Sequence, residues 1–309
     1  MNPPLETILR DIAAEITADA AAIERAADAK EEGLAPGPFG IAVTLRDGGT
    51  IQAGAADTPF PLQSIAKVFT LQLALSAIGD RLFERVGREP SGDPFDSIVD
   101  LERTDGVPRN PFVNAGALVT VDALLDARGA DDTPLALVRR ATGDASVALD
   151  DEVLASEQEA GDLNRAMLSF MRHHGNLRCP PDDVMRAYVE QCAMLLSAAG
   201  LSRAGLFLSH TRLGDDEDDR RRARLQRRML ALMMTCGHYD GSGDFALRVG
   251  LPAKSGVGGG ILAIMPDVAS VAVWSRNLDQ HGNSILGVRA LEMLAHRTGW
   301  SVFGPPAAG

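Results

Sequence analysis

Of the chain's 30 cationic side chains, 27 are arginine and only three are lysine, and two of those three lysines sit in short polar motifs. Lys67 closes Ser64-Ile65-Ala66-Lys67, and Lys254 opens Lys254-Ser255-Gly256. Arginine stays charged at any relevant pH, whereas lysine can release its proton when buried or crowded by other positive charge. A serine one helical turn before such an amine is a nucleophile beside its base. The chemistry on offer is attack on a carbonyl carbon. A serine at a helix N-terminus also turns its own backbone N–H toward a cleft, where it can stabilise an oxyanion. The plainer reading is a serine capping a helix and a lysine snorkelling from it. Ser-x-x-Lys by itself does not choose between them.

The second lysine motif does more. In Lys254-Ser255-Gly256-Val257-Gly258-Gly259-Gly260 the side chains are stripped back, so a substrate can approach the backbone closely. The Val257 N–H could then supply a second oxyanion donor; the alternative is a simple Gly-rich turn. The run lacks the phosphate-loop pattern of a nucleotide site. Ser-x-x-Lys early, with Lys-Ser/Thr-Gly on a late strand, is the signature pair of serine β-lactamases and penicillin-binding proteins. Tyrosine is rarer still. The chain has two, Tyr188 in Tyr-Val-Glu-Gln-Cys and Tyr239 in Thr-Cys-Gly-His-Tyr-Asp.

The elements that must position these residues follow from periodicity and punctuation. Residues 4–32 carry Ala, Ile and charge at helical spacing, one or two helices before the Pro/Gly stretch at 36–38. Phe39 to Leu45 reads as a strand, Asp47-Gly48-Gly49 as a turn, and Thr50 to Gly54 as the returning strand of a hairpin. Ser64 to Ile78 reads as an apolar helix stopped at Gly79-Asp80. Gly87 to Phe112 is a long loop excursion. Helices then dominate from 115 to about 199, with breaks at Gly143-Asp144 and Cys179-Pro180-Pro181. The acids of 215–219 before Arg220 to Arg222 read as a solvated helix start. Strands are expected at 256–264 and 268–275, joined at Pro266-Asp267, and a last helix at 284–298. Strands at both ends with helices between predict an α+β protein, an antiparallel sheet flanked by helices and carrying an all-helical lobe. The expected organisation is one domain over 1–309, with a sheet subdomain at about 33–63 and 245–309 and a helical subdomain at about 64–244.

Composition narrows the function classes. A net charge of -12 argues against nucleic acid or an anionic membrane as the main partner. The N-terminus lacks a basic and then apolar leader, and no run approaches the roughly 18 apolar residues of a membrane span. A cytoplasmic location is expected. Cys179, Cys192 and Cys236 are scattered without metal-ligand spacing, the histidines form no HExxH motif, and His173-His174 reads as a helix-end pair. No metal site is expected.

Further motifs choose a branch. Gln63 to Phe69, Asn110-Pro111-Phe112-Val113-Asn114-Ala115-Gly116-Ala117, Ser156-Glu157 with Asn164-Arg165-Ala166, Tyr188 to Cys192, Thr235 to Asp240, Lys254 to Gly260 and Gly282-Asn283-Ser284 closely resemble the glutaminase family. These are serine-dependent enzymes of the β-lactamase-like superfamily, and the likeness runs in order from about Phe39 to Gly287. The resemblance implies a β-lactamase-like fold and hydrolysis of L-glutamine to L-glutamate and ammonia without a cofactor, in a homodimer or homotetramer. It implies Ser64 as nucleophile, Lys67 as its base, Tyr188 as a proton relay, and Lys254 in the catalytic set. It also implies substrate contacts from Ser64, Asn114, Glu157, Asn164, Tyr188, Tyr239 and the backbone of Val257.

Physical chemistry is consistent with this set. Glu157 and Asn164 are seven apart, so on one helix they share a face, and a carboxylate there can hold a substrate ammonium. Asparagine amides and tyrosine hydroxyls can hold an α-carboxylate without a formal cation. Without the resemblance, Glu157 reads as a solvent-facing acid, Asn164 as a cap, Asn114 as the N-cap of the next helix and Tyr188 as core. Two alternatives stay open: a β-lactam, peptide or other γ-amide hydrolase of the same fold, and a catalytically weak amino-acid-binding paralogue. The chain also departs from the family. The usual N-terminal Tyr-Ile-Pro motif falls near Ala27-Asp28-Ala29, with no tyrosine before Tyr188, and Leu163 replaces the arginine before the second substrate asparagine.

Overall fold

The computed structural model describes residues 3–27, 29–31, 34–92, 96–127 and 132–304; the side chains of 157–160 lie outside that description. Its principal strands are β1 (Gly40–Leu45), β2 (Thr50–Gly54), β3 (Ala253–Ser255), β4 (Gly260–Met265) and β5 (Ala269–Trp274). The main helices are α1 (Leu5–Ala26), α2 (Lys67–Ile78), α3 (Asn114–Ala127), α4 (Asp151–Ala160), α5 (Asp162–His173) and α6 (Pro181–Cys192). They are followed by α7 (Ala198–Ala204), α8 (Glu217–Cys236) and α9 (Ile285–Thr298). Shorter helices lie at Val99–Arg103, Pro134–Thr142 and Ser242–Arg248. The chain divides into two compact units: Met1–Phe60, Ala141–Gly143 and Leu196–Gly309 form one, Pro61–Arg140 and Asp144–Leu195 the other.

The first unit is built on a five-stranded sheet of order β2-β1-β5-β4-β3, antiparallel throughout. Because side chains alternate along a strand, each strand serves two faces. Ile41, Val43, Ile261, Ala263, Val271 and Val273 join the apolar residues of α1 and α9 in one core. The intervening Thr44 turns to the opposite side, where its hydroxyl meets the Ser202 hydroxyl of α7 at 2.8 Å. Both faces are therefore covered, which is why these strands are buried nearly end to end. The hairpin expected around Asp47-Gly48-Gly49 is present, with Thr44 opposite Thr50. Ser284 caps α9 by accepting from Gly287 N at 3.2 Å, and Asp216 caps α8 by accepting from Asp219 N at 2.7 Å.

One expected strand is redrawn. Residues 256–259 form a turn, and strand geometry resumes at Gly260, while Lys254 sits on a separate short strand opposite Leu262. Gly256 N donates to Gly260 O at 3.0 Å, and Gly259 N to Gly256 O at 2.9 Å. Four residues poor in side chains close a tight loop more readily than they extend a ladder.

The second unit is helical. A 3-10 turn, Gln63–Ala66, precedes α2, so the α-helix begins at Lys67 rather than at Ser64. Helix α2 packs on α3, and α3 packs on α5 and α6. The start of α6 is locked to α3 by Asp122, whose carboxylate accepts from Cys179 N at 2.7 Å and Arg178 N at 3.0 Å. The same carboxylate pairs with the buried Arg85. Burial and the Asp122 charge push the Cys179 thiol up to about 11, which makes it a poor nucleophile. Gly161 (φ -75°, ψ 18°) separates α4 from α5, so Glu157 and Asn164 stand on two helices and not on one face of a single helix. A helix-covered antiparallel sheet together with a helical unit is the α+β architecture expected from the strand–helix–strand order of the sequence.

Candidate active site

Backbone strain marks the approach to Ser64. Gln63 has φ +48°, in the left-handed region that a residue with a β-carbon adopts at a cost of about 1–2 kcal/mol. Ser64 follows on the 3-10 turn and is buried. One turn on, Lys67 is 2% exposed, and its Nζ donates to Asn114 Oδ1 at 2.8 Å and to Phe112 O at 3.1 Å. Asn114 passes the chain along, its Nδ2 donating to Asn164 Oδ1 at 3.3 Å. Lys67, Asn114 and Asn164 are thus brought together from three helices.

Asn114 does not act as the N-cap that its position suggests. The backbone donors ahead of α3 are taken by Asn110, whose Oδ1 accepts from Phe112 N at 2.9 Å and Val113 N at 3.2 Å. That frees the Asn114 amide for Lys67. The loop lies so close to the helix that a β-carbon on Gly116 would stand 1.8 Å from Asn110 O. Tyr188 is 3% exposed on α6, which packs against the Gln63–Ala66 turn. Thr70, one turn past Lys67, donates to the Gln191 side chain, one turn past Tyr188. Glu157 falls on α4, and its side chain lies outside the described residues.

The other half of the expected set belongs to the first unit. Lys254 is fully buried on β3, with Nζ donating to Ser255 O at 2.6 Å and Gly237 O at 3.0 Å. The same ammonium stands 4.1 Å from the centre of the Tyr239 ring, a cation–π contact. Tyr239 is itself held in a left-handed conformation, φ +53°. Next to it His238 is buried and stacked on Phe245, ring centres 3.7 Å apart. Burial first, and the Lys254 charge second, push this imidazole well below the usual histidine range, so it stays neutral.

Val257 lies in the glycine turn and is 37% exposed. The turn is pinned on both sides: Trp274 Nε1 donates to Gly258 O at 3.0 Å and Ser275 N to Gly259 O at 3.1 Å. A β-carbon on Gly259 would lie 2.1 Å from Ser275 O, so only glycine fits. Val257 N–H has no acceptor among the described residues. No group of three or more His, Cys, Asp or Glu able to hold a metal occurs among the described residues.

Asn110, Gln63 and His238 had no role in the sequence reading, although each lies inside a quoted motif. The Thr70–Gln191 link was discoverable. Both residues stand three positions after an expected site residue, on the same helix face.

A strained serine turn, a buried lysine behind it and a late Lys-Ser-Gly strand place the chain in the β-lactamase-like fold class. The family model described as Glutaminase matches residues 31–303, and the chain belongs to that family. It is 54% identical to a glutaminase of Azorhizobium caulinodans over 304 residues, covering 96% of this chain and 98% of that one. A glutaminase of Methylorubrum extorquens is 49% identical over 311 residues, covering 98% and 99%. Among solved structures, a Bacillus subtilis glutaminase in covalent complex with 5-oxo-L-norleucine superposes with a TM-score of 0.78 at 27% identity, covering 97% of this chain and 100% of that one. A Bacillus glutaminase in 4.3 M NaCl gives 0.83 at 29% identity, covering 97% and 100%. No helix among the described residues is long and apolar enough to cross a membrane.

Proposed function

We propose that the chain hydrolyses L-glutamine to L-glutamate and ammonia through a γ-glutamyl ester on Ser64. The observation that carries the chemistry is the lysine one turn behind Ser64, buried and held by Asn114 Oδ1 and Phe112 O. A neutral amine offers two N–H donors and one lone pair. In the neutral form that lone pair takes the Ser64 proton. Ser64 Oγ then bonds to the side-chain amide carbon, and the carbonyl π electrons move to oxygen. The N–H groups of Ser64 and Val257 stabilise that oxyanion. Collapse breaks the C–N bond, and Lys67 returns that proton to the departing nitrogen, directly or by way of the Tyr188 hydroxyl, so that NH3 leaves and Lys67 is neutral again. Water, deprotonated in turn by Lys67, resolves the ester to glutamate and free Ser64.

Glu157 receives the substrate ammonium in this reading, and Asn114, Asn164, Tyr188 and Tyr239 its carboxylate and amide. The geometry supports a positioning role for Lys254, since its ammonium grips the Tyr239 ring and two carbonyls. The covalent complex of the Bacillus subtilis relative with 5-oxo-L-norleucine supports a covalent route here. The whole of 1–309 then works as one glutaminase domain, cytoplasmic, and as a homodimer or homotetramer. Ammonia release from glutamine by purified protein tests this. Wild type is expected to turn over, and Ser64→Ala to lose about 10³-fold or more in kcat while folding normally. Near-wild-type activity in Ser64→Ala removes the nucleophile. Hydrolysis of a chromogenic β-lactam in place of glutamine moves the chain to another branch of the fold, and binding without turnover identifies a silent paralogue.

A further inference from the structure

The helical unit contains a cavity lined by none of the residues of the proposed reaction. Its volume is about 500 Å3, within the ~300–1,000 Å3 range of small-molecule sites. Val121 and Leu124 of α3, with Leu135 and Leu149, give it an apolar wall. Thr70 and Gln191 are the buried polar residues of its lining, both at least 98% buried. Gln191 Oε1 is occupied by the Thr70 hydroxyl, but Gln191 Nε2 is buried without an acceptor among the described residues. Gln191 lines the cavity, and a buried N–H donor is costly unless something accepts from it. Two carboxylates border the space: Asp132, which is paired with Arg140, and the exposed Glu190. An anionic ligand would be repelled.

We propose that this cavity is a regulatory site for an uncharged, mostly apolar small molecule bearing one carbonyl oxygen. The oxygen accepts from Gln191 Nε2 and the apolar body fills the space along Val121 and Leu124. Occupancy reaches catalysis because the Thr70–Gln191 bond ties α2, one turn past Lys67, to α6, one turn past Tyr188. That second half rests on the proposed roles of Lys67 and Tyr188; the binding itself does not.

2-Nonanone is a suitable probe, with nonanoate as its anionic counterpart, titrated calorimetrically into the full-length chain. The ketone is expected to bind wild type at one site, to bind Ser64→Ala equally, and to persist in saturating glutamine. Gln191→Leu should weaken it about tenfold, the scale of one lost buried hydrogen bond. Leu125→Trp adds bulk at a cavity-lining position that is 40% exposed, so it should cut affinity while leaving basal turnover and folding unchanged. Nonanoate should bind more weakly than the ketone. At saturation the ketone should change kcat at least twofold with the KM for glutamine unaltered. No binding to wild type, displacement by glutamine, or indifference to both substitutions overturns the site. Binding with unchanged kcat overturns its regulatory role. Because binding is also read on Ser64→Ala, an error in the nucleophile assignment leaves that arm intact.

Discussion

Lysine at position 67 is the residue-scale choice that arginine could not have made. A guanidinium does not release a proton, whereas the proposed mechanism needs a base here, on a side chain whose Nζ also donates to Asn114 Oδ1 and Phe112 O. Lys67→Arg is therefore expected to lose as much kcat/KM as Lys67→Ala, about 10²-fold or more. Steady-state ammonia release checks it, and substantial activity in the arginine variant would leave Lys67 an electrostatic role only. His238 supplies a second residue-scale expectation, from its neutral state. Its folded pKa lies below the ordinary value, so the folded protein binds fewer protons than the unfolded chain. Stability from this group is complete above about pH 6.5 and falls as the pH drops below that value. His238→Phe keeps the aromatic stack on Phe245 and removes the titration. Denaturant unfolding between about pH 4.5 and 7.5 should show a shallower acid slope in the variant than in wild type. An unchanged slope would assign acid sensitivity to other groups.

At the scale of elements, the site depends on how tightly one loop lies on one helix. Gly116→Ala would drive a β-carbon to 1.8 Å from Asn110 O, so the 110–113 loop must move. That loop presents Phe112 O to Lys67 and leads directly into Asn114, so stability and chemistry should fall together. The expected destabilisation is about 1–3 kcal/mol, with kcat reduced more than KM is raised. Thermal unfolding and kinetics on the same preparation measure both, and a stable variant with normal kcat would show that the loop adapts freely. The contrast with Asn114 says what sequence could reveal. Hairpin, helices and motif order were legible because turn residues and apolar spacing are local signals. Which asparagine caps and which one holds Lys67 was not, since that depends on a lysine 47 positions away. The turn at 256–259 was half legible. Four residues with three glycines satisfy a strand template and a turn template alike, and the pairing of Gly256 with Gly260 decides. The break at Gly161 went unread for a related reason: a single glycine inside a helical pattern is compatible with continuity until packing on either side sets two axes.

At the scale of the whole molecule, the proposed assignment keeps the family's reacting centre and departs at the substrate's amino-acid head. No tyrosine precedes Tyr188, so the hydroxyl of the family's N-terminal Tyr-Ile-Pro motif has no counterpart. Asp28, at the matching spacing, lies outside the described residues. Its neighbours are committed to backbone pairing within the first unit: Ala29 bridges Asp279, and Lys30 N donates to Leu278 O at 2.8 Å. Leu163, standing where the family has arginine, is 44% exposed and offers no donor. One hydroxyl hydrogen bond to a charged group is worth about 1.5–3 kcal/mol, or roughly 10- to 100-fold in affinity. Ser64, Lys67, Tyr188 and Tyr239 are untouched by either change, so the loss should fall on KM and not on kcat. We expect a KM for glutamine above about 1 mM, the upper end of the usual enzyme range, with related γ-amides accepted to a comparable degree. Steady-state kinetics on glutamine and a set of γ-amides decide the matter. A sub-millimolar KM with strict glutamine preference would mean that another group has taken over the tyrosine's hydrogen bond. A collapsed kcat would mean instead that the head-group contact is needed to align the amide with Ser64, since a loss confined to uniform binding cannot lower turnover at saturation.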